Sequence, residues 1–172
     1  MSAQENFFVY QDLTMRDVFK LESKLNSPIQ STSNNINGRS KNSQEHSISF
    51  LRKASGKFPA SIVEYFFSPN DSLIKAVIFE WKIDLDTKQK QADNLRLYNT
   101  SFNTLVKAMT KALGKPANDL GKVHEIESPV VGDNSKNYER KVVWKKGSKI
   151  ITTIFVWAEE HGEQMITSIK EQ

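Results

Sequence analysis

Residues 83–116 read IDLDTKQKQADNLRLYNTSFNTLVKAMTKALGKP, and this stretch decides the fold. Leu95, Tyr98, Phe102, Leu105, Met109, Ala112 and Leu113 recur mostly at alternating three- and four-residue steps, which lays one apolar stripe along a helix. Asp86 stands where an N-cap belongs, and Gln89 three residues on completes a capping box. Gly114 follows the last stripe residue and Pro116 comes two later, so the stop is as plain as the start. Lys88, Lys90, Arg96, Lys107 and Lys111 fall mainly off the stripe, and basic residues in the last turn suit the helix dipole. A helix over 86–113 with one apolar face needs a cover. The segments on either side of it supply one.

Immediately upstream, residues 58–83 read as a β-hairpin. Residues 61–67 are β-branched and aromatic, Ser68-Pro69-Asn70-Asp71-Ser72 is turn chemistry, and 73–81 return as a strand. Leu73, Lys75, Val77, Phe79 and Trp81 share one face of that strand, and Ile74, Ala76, Ile78 and Glu80 share the other. Apolar residues on both faces mark a central strand, covered on both sides for part of its length.

Downstream, residues 115–121 read as a loop, 122–127 as a short edge strand and 130–137 as another loop. The last third is a three-stranded meander. Gly147-Ser148 is a Gly-first pair suited to a two-residue type II′ turn, which sets Trp144 against Ile151, Val142 against Thr153, Arg140 against Phe155 and Tyr138 against Trp157. Residues 163–170 form the third strand. Residues 74–81 and 150–157 are alike, each an apolar run closing on a tryptophan. The second is not followed by a helix, so the likeness reads as strand composition rather than as an internal repeat.

Towards the N-terminus, residues 14–25 form a short helix with Thr14 as its cap and Met15, Val18, Phe19, Leu21 and Leu25 spread over a broad apolar face. It is too short to stand alone and must dock on something larger. Residues 26–47 are dominated by Ser, Asn, Gln and Gly and cannot bury enough surface to offset their ordering entropy. The expected organisation is a single domain: an N-terminal segment with a short helix (1–26), a flexible polar loop (27–47) and an α+β core (48–172). The core is a mainly antiparallel sheet of about five or six strands, with the long amphipathic helix packed across one face and the short helix at an edge or end.

The chain has 172 residues, 38% hydrophobic and 26% charged, which suits one domain with a sizeable core. The formal charge of +4 is scattered along the chain, whereas nucleic-acid binders concentrate theirs, so nucleic acid is disfavoured as a partner. The absence of cysteine removes disulfides, thiol catalysis and cysteine metal sites. No run approaches the roughly 18 apolar residues of a transmembrane helix. Ser2-Ala3-Gln4 has the small-residue character of a signal-peptidase site. A trimmed periplasmic or secreted protein therefore stands level with a cytoplasmic one.

Catalytic signatures are missing: the sequence has no G-x-S-x-G, P-loop, G-x-G-x-x-G or H-E-x-x-H, and nothing in it calls for a cofactor. Of the three histidines, His46 and His161 fall in loop or turn. His124 lies beside Glu125 and Glu127, but strand alternation sends the carboxylates to the face opposite the imidazole, which argues against a metal site. Asp84 and Asp86 are better explained as solvated loop and helix cap than as a catalytic pair.

The aromatics are the remaining lead. Tyr138, Arg140, Trp144, Phe155 and Trp157 share one face of the meander, with Lys145, Lys146 and Lys149 at the adjoining turn. Either that face packs on the long helix, the reading that burial of aromatics favours, or it forms a surface or pocket for a protein partner or a small apolar ligand. The leading expectation is a non-enzymatic binding or interaction protein. The alternative is a small enzyme or ligand-binding domain with a pocket between helix and sheet, with His124 or Arg140 as polar contacts.

Overall fold

The structure, a computed structural model, describes residues 13–33, 46–54, 59–82, 91–126, 137–158 and 162–171. Two helices and nine strands are present among them. In chain order these are α1 (Met15–Lys24), β1 (Ile29–Ser33), β2 (His46–Arg52), β3 (Ala60–Phe67), β4 (Ile74–Lys82), α2 (Gln91–Leu113), β5 (Asn118–Asp119), β6 (His124–Ile126), β7 (Asn137–Lys146), β8 (Lys149–Ala158) and β9 (Gly162–Glu171). The strands form one antiparallel sheet in the order β1-β2-β3-β4-β9-β8-β7-β5, with β6 also paired to β7. The sheet is thus wider than the five or six strands expected from sequence. The difference lies in β1, β2 and the short strand β5; the edge strand expected over 122–127 is present as β6.

The order repeats. A helix is followed by strands that run from one edge to the centre (α1, then β1 to β4). A second helix is followed by strands that run from the opposite edge to the centre (α2, then β5, β7, β8 and β9). The two halves meet where β4 pairs with β9, centred on Ile78 opposite Ser168. Each helix precedes its strands, so a repeat does not require a helix after residues 150–157. The compared strands are also not counterparts: β4 corresponds to β9, and β8 to β3.

Local chemistry fixes the boundaries. Thr14 caps α1 in a capping box, its backbone N–H and hydroxyl donating to Asp17 Oδ2 at 3.1 and 2.7 Å. Asn26, with φ +52°, ends that helix in the left-handed region. Gly114, with φ +91°, ends α2, and its N–H donates to the Thr110 carbonyl at 2.9 Å. The described part of α2 begins at Gln91. The expected first turn with Asp86 and Gln89 lies outside the described residues, as do Ser2-Ala3-Gln4 and His161. Gly147, with φ +62°, makes the β7–β8 turn, and the pairings of Tyr138, Arg140, Val142 and Trp144 across it are those the turn dictates.

Both helices lie on the same face of the sheet. Val18 of α1 is fully buried and Phe19 meets the Phe50 ring edge-on at 5.8 Å, so α1 sits over β2 and β3 rather than at an edge or end of the sheet. Phe102, Leu105 and Met109 of α2 are fully buried, and Tyr98 and Phe102 each lie 5.9 Å from the Phe155 ring of β8. Alternation along each strand sends Phe50, Val63, Tyr65, Val77, Phe79, Trp81, Met165, Ile169, Ile151, Phe155, Val142 and Trp144 to this covered face. The polar stretch 27–47 is likewise not all loop. Its Ile29–Ser33 segment pairs with β2, and the hydroxyls of Ser31 and Ser49 meet at 2.7 Å.

Candidate interaction surface

The sheet has two faces of different character. On the helix side, the structure brings together all five residues singled out in the meander and places them under or beside α2. Trp144, Phe155, Trp157 and Arg140 are buried, and Tyr138 is half-buried with its ring 5.5 Å from that of Trp157. Arg140 donates to Asn103 Oδ1 on α2, reaches Asp119 Oδ2 of β5 at 3.2 Å and stacks over the Phe102 ring at 5.3 Å. Trp144 Nε1 donates to the Gly114 carbonyl at 3.1 Å. Arg140 and Trp144 thus hold α2 and β5 to the sheet.

Two buried polar groupings on the same face escaped the sequence. Glu22 of α1, Arg52 of β2 and Tyr65 of β3 form a closed cluster, with Arg52 Nε 3.0 and 3.1 Å from the two Glu22 carboxylate oxygens and Tyr65 OH 2.5 Å from Glu22 Oε1. The signal was present: Glu22 continues the Met15, Val18 spacing, so it belongs to the buried stripe of α1 despite its charge. The second grouping is a hydroxyl pair at the sheet centre. Thr153 and Thr167 lie 2.8 Å apart, with Trp81 Nε1 donating to Thr167 Oγ1 at 2.8 Å and Thr153 Oγ1 donating to Met109 Sδ at 3.1 Å. Both groupings are enclosed, and hydrogen bonds link the members of each.

The two described histidines do not converge. His124 is half-buried on β6, and His46 on β2 lies 5.9 Å from the Phe67 ring. Among the described residues no three His, Asp or Glu side chains gather as a metal site would need, and no helix is long and apolar enough to cross a membrane.

The opposite face of the sheet has no described helix on it. Reading across the strands in register, one row runs Leu51, Ile62, Glu80, Ile166, Ile154, Lys141, and the next runs Ser49, Glu64, Ile78, Ser168, Thr152, Val143. Ile62, Ile78, Ile166, Ile154 and Val143 are half-exposed, and Leu51 is exposed. Strand β8 is the sharpest case. Its outward residues Ile150, Thr152, Ile154 and Val156 carry no charge, and all are half-exposed. A strand with one solvated face alternates apolar and polar; β8 reads like a strand covered on both sides. Charged residues flank the apolar centre, Glu80 and Lys82 on β4 and Glu139, Lys141 and Lys145 on β7.

Compared with protein-family models, with curated proteins and with solved structures, the chain matches none.

Proposed function

We propose that the chain is a non-enzymatic binding protein whose interaction surface is the sheet face opposite the two helices. The observation that supports this reading is the uncharged, β-branched outward side of β8, half-exposed at the middle of a sheet whose other face is already filled. Uniting Ile154, Ile166, Ile78 and Val143 with a partner removes apolar surface from water at about 25 cal/mol per Å2, and the flanking charges supply the polar rim such interfaces carry. The space between α2 and the sheet is occupied by Tyr98, Phe102, Leu105, Met109 and Phe155. That favours an outward surface over a pocket beneath the helix.

The test is site-specific photocrosslinking in the native cells, with a photoreactive phenylalanine analogue at position 154 and, as control, at the exposed Lys107 of α2. A discrete adduct from position 154 and none from 107 is the expected result. Equal or absent labelling at the two positions removes the reading.

A further inference from the structure

We propose that the occupant of this face is a second copy of the chain, packed sheet against sheet about a two-fold axis that runs parallel to the strands between β9 and β8. The inference rests on reading the face as an interaction surface and names its partner. Strand order sets the geometry. With the axis between β9 and β8, each β9 lies over the partner's β8, and each β4 lies over the partner's β7. Because the axis is parallel to the strands, every row of the face keeps its level.

The residues then match row by row. At one level Ile166 meets Ile154 and Glu80 meets Lys141. At the next, Ser168 meets Thr152 and Ile78 meets Val143. One step in the other direction, Lys82 of β4 arrives at Glu139 of β7. At these levels apolar falls on apolar, hydroxyl on hydroxyl, and the sequence minus-plus along β4 on plus-minus along β7; one level beyond Ile78, the Lys170 stem lies over Ile150 and Lys145 lies over Ala76 at the rim. Glu80 and Lys82 pair with each other along β4 in the single chain, both exposed, and their exchange onto Lys141 and Glu139 keeps these four charges partnered. Aligned sheets pack about 10 Å apart with strands within about 30° of each other, close enough for these long side chains to meet across the interface.

The size is adequate. Four strands about 4.8 Å apart and four rows about 6.8 Å apart span roughly 14 by 20 Å between outermost positions. With side-chain margins and the flanking β3, that is on the order of 600–800 Å2 per copy, within the standard interface class.

The experiment is sedimentation velocity over a concentration series on the wild type, Glu80→Lys, Lys141→Glu and an equimolar mixture of the two variants. Both sites are exposed, so the fold is not at stake. The wild type should shift from monomer to dimer as concentration rises. Each variant alone sets like charges together twice per dimer and should dimerise about tenfold more weakly. The mixture should recover wild-type behaviour, because a heterodimer of the two has both contacts complementary. A wild type that stays monomeric throughout, or a mixture as weak as its parents, overturns the self-pairing. A position-154 adduct with a different protein would then leave the binding reading standing without it, and no adduct would end both.

Discussion

Glu22 and Arg52 lie thirty positions apart and meet inside the core, the guanidinium Nε at 3.0 and 3.1 Å from the two carboxylate oxygens and both side chains almost wholly excluded from solvent. This pair ties α1 to β2, and the Tyr65 hydroxyl extends it to β3. Removing two charges from water is expensive, and the cost is offset only while both partners are present. Glu22→Ala should therefore destabilise the protein by about 3–5 kcal/mol, since it strands the Arg52 charge. The double change Glu22→Leu with Arg52→Met should recover most or all of that loss, because it replaces the pair with apolar bulk. Urea denaturation of the three proteins checks both statements. A single substitution as mild as a surface change would show that water reaches the cluster.

The same pair marks where the sequence was legible and where it was not. Periodicity exposed the stripe of α2 and the alternation of β3, β4, β7 and β8, because their apolar residues differ from their neighbours. A two-residue turn then fixed the β7–β8 register to the residue. The charges of Glu22 and Arg52 hide their burial, although the spacing of Met15, Val18 and Glu22 puts the carboxylate on the buried stripe. Strands β1 and β2 were hidden because Ser31, Ser47 and Ser49 are turn-prone by type. Their strand conformation comes from pairing, β1 with β2 and β2 with β3, a long-range fact. For the candidate site, the sequence grouped Tyr138, Arg140, Trp144, Phe155 and Trp157 correctly on one face. Which face is covered depends on where α2 crosses after leaving β4, and nothing local encodes that.

Asp17 gives a pH prediction. Its carboxyl is held below the ordinary carboxylate range first by the side-chain hydrogen bond from Thr14 and then by the Thr14 backbone N–H. A group whose folded pKa is depressed contributes stability above its unfolded value and loses it as pH falls through the folded value. The stability difference between wild type and Asp17→Asn should therefore be constant from neutrality down to about pH 5 and shrink below about pH 4. Denaturation midpoints at a series of pH values check it. A difference that persists unchanged into acid would mean the capping box owes nothing to the charge.

Gly147 tests the turn. Its φ of +62° lies in the left-handed region, and a Cβ there would meet nothing within 4 Å. Any cost of adding a side chain is then backbone conformation and not collision. Gly147→Ala should destabilise by about 1–2 kcal/mol. Gly147→Asn should cost less, since asparagine visits that region more readily. Thermal melts of both variants separate the two causes, because a steric origin would make the larger asparagine worse than alanine.

Ile154 and Phe155 are neighbours on β8 that point to opposite faces, and the difference between them carries the functional reading. Phe155 is fully buried against Tyr98 and Phe102 of α2, so Phe155→Ala should cost about 3–5 kcal/mol. Ile154 is half-exposed on the face without a described helix. Ile154→Ala, measured at a concentration low enough to keep the chain monomeric, should cost about 1 kcal/mol or less. A partner that covers the face adds its stabilisation by mass action, so for the wild type the melting temperature should rise with protein concentration, and for Ile154→Ala it should rise less. If instead Ile154→Ala costs as much as a core deletion in dilute solution, the face is already covered within the single chain. The outward side of β8 would then be a second core rather than a surface held for another molecule.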